Sequence, residues 1–147
     1  MSYEIEVFGE VVGKQRPKAS SRNGFVRMYT PTKTVNYESR IAYAWTQKYG
    51  EFHFERDTAL SVTITIYVPI PKAFSKKKRL SALSGEIKPT TKPDIDNVCK
   101  SVLDGLNGIA YVDDKQVNRL FATKVYEEMP KVVIEVQEEN KWKRSKL

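Results

Sequence analysis

The chain of 147 residues holds a single cysteine and a single histidine. One cysteine excludes an intrachain disulfide framework and a cysteine-rich zinc site. One histidine excludes any metal site that needs two imidazoles from one chain, and it leaves little scope for histidine acid–base chemistry. No apolar run nears the ~18 residues of a membrane-spanning helix. The opening residues, Met-Ser-Tyr-Glu-Ile-Glu, lack the charged and then apolar pattern of a signal peptide. Internal repeats and low-complexity linkers are also absent. These absences predict a soluble, cytoplasmic, single-domain protein spanning residues 1–147, with a flexible basic tail at about 140–147. They give no reason to expect a membrane partner or an organic cofactor.

What is present is charge, mostly of one sign. Lys and Arg number 25 against 18 Asp and Glu, a net charge of +7. Apolar residues make up 40% of the chain and aromatics 11%, enough for a packed core and too much for global disorder. A polyanion is therefore the expected partner, with nucleic acid ahead of a membrane surface. Charge does not by itself separate a DNA binder from an enzyme.

Hydrophobic periodicity predicts the elements. Residues 3–12 alternate and read as a strand, residues 13–21 as a polar loop, and residues 24–30 as a second strand. Pro31-Thr32 opens a helix that runs to Gly50, with Thr34 as a candidate cap and Tyr37, Ile41, Ala44, Trp45 and Tyr49 at helical spacing. Residues 59–68 are β-branched and alternate strictly, the clearest strand signal in the chain. The basic stretch 72–93 places Lys76, Lys77, Lys78 and Arg79 on a short helix. A second main helix starts near residues 94–96, carries Val98, Val102, Leu103 and Leu106 as its stripe, and stops at Asn107-Gly108. Residues 109–112 suggest a short strand, and residues 117–126 and 131–137 two more. The order is roughly β-β-α-β-α-β-β, an α/β (α+β) domain with a mixed sheet and two main helices.

The informative segment is 92–117. It concentrates five aspartates, Asp94, Asp96, Asp104, Asp113 and Asp114, in an otherwise basic chain. If the backbone stays extended through Asp96, the carboxylates of Asp94 and Asp96 point the same way. A helix followed by a turn back brings Asp113-Asp114 towards them. Converging carboxylates form an oxygen-rich site suited to Mg²⁺ or Mn²⁺. A nuclease profits from that combination. A basic surface holds the phosphate backbone, and a metal at an acidic point activates water and stabilises charge on the scissile phosphate. Lys100 shares a helix face with Asp96 and Asp104. It is placed to orient water or neutralise phosphate, and Asp104 is placed to hold it.

Each of these residues also has a plain structural reading. Asp94 or Asp96 serves equally as a helix N-cap. Asp113-Asp114-Lys115 is good turn sequence. Lys100 with Asp96 and Asp104 makes an ordinary solvated row, as does the run at residues 76–79. Cys99 reads as a small half-buried residue, His53 as structural, and Trp45 and Tyr49 as helix core.

Residues 92–117 resemble the signature of the RusA family of Holliday-junction resolvases. Lys92-Pro93-Asp94-Ile95-Asp96-Asn97 is followed by Lys100, by Asp104-Gly105-Leu106-Asn107-Gly108 and by Asp113-Asp114-Lys115-Gln116-Val117. The loop Gly13-Lys14-Gln15-Arg16-Pro17-Lys18 is similar to the family's basic loop. The resemblance implies a homodimeric, Mg²⁺-dependent endonuclease, with Mn²⁺ able to substitute. It would cut four-way DNA junctions symmetrically in recombination and repair, often encoded by a phage or prophage and nucleoid-associated when acting. Matched to this chain, the catalytic set is Asp94, Asp96, Lys100 and Asp114. Metal falls to the three aspartates, with Asp113 a candidate beside Asp114. Phosphate contacts are expected from Lys14, Arg16, Lys18, Lys76, Lys77, Lys78, Arg79, Lys88 and Lys92. Two other classes stay open: a non-catalytic DNA-binding or architectural protein with the same fold, and a paired-carboxylate enzyme of the glycosidase kind, which the net charge disfavours.

Overall fold

The computed structural model describes residues 2–22 and 24–139; the tail expected to be flexible at 140–147 lies outside the described residues. The β-branched run becomes β4 (Leu60–Pro69), at the interior of a four-stranded sheet. On one side it pairs antiparallel with β6 (Lys131–Glu138), which pairs antiparallel with β1 (Ser2–Phe8). On the other side it pairs parallel with β5 (Val117–Glu127). Strict alternation puts Leu60, Val62, Ile64, Ile66 and Val68 on one buried face, in register with Ile134, Ile5 and Ala122.

Two helices cover that face. The helix α1 (Thr32–Tyr49) buries Tyr37, Ile41 and Trp45 against it, and a later helix at Ile95–Leu106 buries Val98, Val102 and Leu106. The two helices touch at Gly105. A Cβ there would lie 3.0 Å from the Glu38 carbonyl oxygen and 3.0 Å from Ile41 Cβ, so only glycine permits this approach.

The domain is α+β with a mixed sheet, as expected, but the described residues form six strands and three α-helices. The residues read as a polar loop contain β2 (Lys18–Arg22), which pairs with β3 (Phe25–Tyr29) in a separate hairpin. Its alternation is hidden because β2 carries almost no apolar side chain, while Gly24 turns the chain at φ 78°. The basic stretch forms α2 (Lys76–Leu83), capped by the Ser75 hydroxyl, so the helix at Ile95–Leu106 is α3. The first strand stops at Phe8 rather than residue 12, where Gly9 takes φ 103°. Residues 109–112 make no strand; Tyr111 forms only single bridges to Phe54 and Asn107. Among the described residues no helix is long and apolar enough to cross a membrane.

Candidate functional site

The start of α3 combines a helix terminus, two acids and a groove. Asp94 is extended (φ −71°, ψ 134°) and Asp96 already lies in the first helical turn. The pair is therefore not carried on one extended run, as the two-residue spacing suggested. Asp94 holds the N-cap position, yet its carboxylate makes no capping hydrogen bond; among the described residues it accepts only from the Asn97 side-chain Nδ2, at 3.5 Å. Negative charge is favoured here by the helix dipole. Asp94, Asp96, Asn97 and Lys100 line a groove of about 1220 Å³, together with Lys14, Arg16, Lys18, Lys33 and Lys92.

The opposite wall is the chain between β1 and β2, and its closeness is enforced. The Lys14 amide donates to the Asn97 carbonyl at 2.8 Å, and a Cβ on Gly13 would meet Asn97 Cβ at 2.9 Å. Lys14 then turns inward. Its ammonium meets Glu38 at 2.6 Å and Asp104 at 3.0 Å, linking the loop to both α1 and α3. Burial pulls the Lys14 pKa down, but the hydrogen bonds and charges of Glu38 and Asp104 outweigh it and leave it raised. Asp104 is thus the partner of Lys14 and not, as expected, of Lys100. Lys100 is exposed and has no ion pair among the described residues.

A residue that the sequence reasoning passed over supports the same corner. Lys124 on β5 donates to the Thr91 carbonyl at 2.7 Å and to the Pro93 carbonyl at 3.0 Å. It therefore pins the segment that delivers Asp94. The available signal was a lysine in the inward row of a strand, after Leu120 and Ala122 and in register with buried Ile66.

The second acidic pair sits at the other end of α3. From Asp94 to Asn107 the helix spans about 20 Å, at about 1.5 Å per residue. Asn107 Oδ1 accepts the Asp114 amide at 3.1 Å. Asp113 caps the short 3₁₀ turn Asp114–Gln116 by accepting the Lys115 amide at 2.9 Å. Gln116 completes that cap, and its amide nitrogen donates to the Glu55 and Thr58 carbonyls at 2.6 and 3.1 Å. The Lys115 amide holds Asp113 below the usual carboxylate range. Partial burial, with the hydrogen bond and charge of Asp113 and the charge of Asp104, pushes Asp114 above it.

The expected three-carboxylate cluster is consequently not formed within one chain. Among the described residues no three Asp, Glu, His or Cys side chains are grouped to hold a metal ion. The return path after α3 is β5, and it brings Lys124, not the acids, back to the start of the helix. Part of the set nevertheless offers donors of the kind a divalent cation takes. Asp94 and Asp96, with the Asn97 carboxamide, offer the one or two carboxylates that Mg²⁺ usually takes, its remaining positions going to water and substrate phosphate.

The remaining predicted residues divide in two. Lys14, Arg16, Lys18 and Lys92 line the groove, whereas Lys76, Lys77, Lys78, Arg79 and Lys88 lie on or after α2 outside it. Arg79 pairs with Glu128 at 3.0 Å, Lys78 sits over the Phe74 ring, and Lys88 donates to the Gly85 carbonyl. Burial and the Asp96 charge raise the Cys99 thiol pKa, which opposes use as a nucleophile. Trp45 is core, donating to the Phe52 carbonyl at 3.0 Å, and His53 contacts only a main-chain oxygen.

The site is thus an acidic pair at a helix start in an α+β domain, set in a groove whose other charged residues are mainly cations. Comparison with known proteins agrees. Residues 9–137 match the family model for endodeoxyribonuclease RusA, and the chain belongs to that family. It is 40% identical over 137 residues to the uncharacterized protein YqaN of Bacillus subtilis (strain 168), covering 92% of this chain and 95% of that one. It is also similar, at 28% identity over 137 residues, to the crossover junction endodeoxyribonuclease rusA of Lactococcus phage r1t, covering 92% and 96%.

Proposed function

We propose that the protein is a structure-selective, Mg²⁺-dependent endodeoxyribonuclease that resolves four-way DNA junctions by paired symmetric cuts, in recombination and repair, and that it acts as a homodimer in the cytoplasm. The observation carrying this reading is the uncapped Asp94 carboxylate beside Asp96 in a groove lined by Lys14, Arg16, Lys18, Lys92 and Lys100. Mg²⁺, for which Mn²⁺ can substitute, supplies an activated water and charge neutralisation at the scissile phosphate when bound. Asp94 and Asp96 are its protein ligands in this groove. The family motif adds Asp114, with Asp113 committed to its cap.

Lys100 faces the same groove and neutralises charge growing on the phosphate, a role open to it because no carboxylate holds it. Arg16, Lys18 and Lys92 seat the sugar–phosphate backbone. Lys76, Lys77, Lys78, Arg79 and Lys88 extend the cationic surface to a further arm of the branched substrate. Lys14 is both groove wall and tie. Selectivity for branched DNA comes from the placing of phosphates and from shape rather than from base edges.

The test is cleavage of a synthetic four-way junction with and without Mg²⁺. Asp96→Asn is expected to lose cleavage and to keep junction binding. Wild-type cleavage by Asp96→Asn would overturn the reading, and binding without metal-dependent cleavage by the native protein would favour the architectural alternative.

A further inference from the structure

The two edges of the main sheet are finished differently. At β1 the outward main chain is met by α1. The Tyr49 hydroxyl accepts from the Glu4 amide at 2.8 Å, Lys48 donates to the Glu4 carbonyl at 2.6 Å, and Arg40 donates to the Phe8 carbonyl. Glu4 and Glu6 add exposed charge on that strand. At β5, none of the main-chain groups that point away from β4 meets a partner among the described residues. The strand's cations are turned elsewhere, Arg119 to Glu139 and Lys124 to Thr91 and Pro93. What remains on the edge is Leu120, Phe121, Ala122 and Thr123, uncharged and without proline, with Leu120 42% and Phe121 54% exposed. The helix α2, which packs on β5, adds exposed Leu80 and Leu83 one turn apart. Edge strands are normally guarded by charge, proline or a covering element; residues 120–123 carry neither charge nor proline, and among the described residues no strand pairs with their outer edge.

We infer that this edge is where a second copy of the chain docks. The strand β5 pairs antiparallel with the β5 of its partner about a two-fold axis at Phe121, joining two four-stranded sheets into one. A strand edge is its own complement in this arrangement, because the two-fold axis sets its row of donors and acceptors against the same row reversed. The segment has no free cation for phosphate, so DNA is a poor occupant. The inference rests on the homodimer proposed above and adds where the two copies meet.

Size-exclusion chromatography with light scattering tests it. The native protein is expected at about twice the 16.9 kDa chain mass. Leu120→Lys and Phe121→Lys, checked for folding by circular dichroism, are expected to fall to one chain mass, while Tyr43→Lys on exposed α1 surface does not. Phe121→Cys is expected to form an interchain disulfide on oxidation, since facing Cβ atoms in antiparallel pairs lie ~5 Å apart; Tyr43→Cys is not. Native protein running as a single chain would overturn the homodimer itself. A native dimer that survives both lysine substitutions and gives no Phe121→Cys crosslink would overturn the edge assignment alone. If the lysine variants do not fold, crosslinking decides.

Discussion

The two ends of α3 carry the same residue type in opposite settings. At the start, Asp94 and Asp96 have no main-chain hydrogen bond to their carboxylates, and the groove around them is cationic. At the end, Asp113 is tied into a cap, Asp104 is tied to Lys14, and Asp114 is left beside both, with its pKa raised by burial first and then by their charge. The helix dipole favours negative charge at the start and opposes it at the end. Acids at the first place therefore stand free, available to a cation, while at the second Asp104 and Asp113 are held by bonds to the fold and the Asp114 carboxylate is not. Motif residues of one kind thus separate: Asp104 and Asp113 hold the fold, while Asp94, Asp96 and Asp114 keep carboxylates uncommitted to it.

Breaking that comparison has its largest effect through Asp114. Asp114→Asn is expected to lower junction cleavage about 10³-fold, equivalent to ~4 kcal/mol of transition-state stabilisation, and Asp113→Asn to lower it less. Gel assays of cut junction decide, and full activity in Asp114→Asn would confine the chemistry to the start of α3. Next is Lys124→Met, which frees the Thr91 and Pro93 carbonyls. Cleavage should fall roughly 10–100-fold, as it does on loss of residues that orient metal ligands. Junction affinity should stay near native, and Lys124→Arg should recover part of the rate. An affinity loss as large as the rate loss would make Lys124 a DNA contact instead.

Smaller effects sharpen the picture. Lys14→Met is expected to destabilise the fold by about 1 kcal/mol, because its ion pairs are partly exposed. The Lys14 pKa is raised above 10.5, so the contribution is complete below pH 10.5 and disappears as pH rises through the folded value. Urea unfolding at neutral pH and again in strong alkali should show the difference between native and variant shrinking. The smallest change is in salt dependence. Arg16→Ala and Lys77→Ala should each reduce the slope of log affinity against log salt by ~0.9, one phosphate each, but only Arg16→Ala should also slow cleavage. Equal effects on cleavage would erase the distinction between groove and α2.

Elements with strong periodicity were legible in the sequence. The alternation of β4 and the stripe of Val98, Val102 and Leu106 on α3 state which face is buried, and the structure uses those faces. The β2 strand was not legible, since Lys18, Ala19, Ser20 and Ser21 bury nothing and pair only through main chain. The acidic pair of the groove was found by its motif. Its surroundings were not, because Lys14 reaches Glu38 and Asp104 only through a loop crossing made possible by Gly13.

By itself the sequence determined the class: a basic α+β chain with one cysteine, one histidine and a dense acidic motif, which leaves carboxylates and lysines as the groups available for chemistry. Those properties follow from composition and short-range spacing, which need no knowledge of how the chain returns on itself. The tertiary structure alone decided which acids stand free. The direction of β5 back along α3 sets Lys124 beside Pro93 and leaves Asp113 and Asp114 about a helix length from Asp94, a consequence of parallel pairing between β4 and β5 that no local pattern encodes.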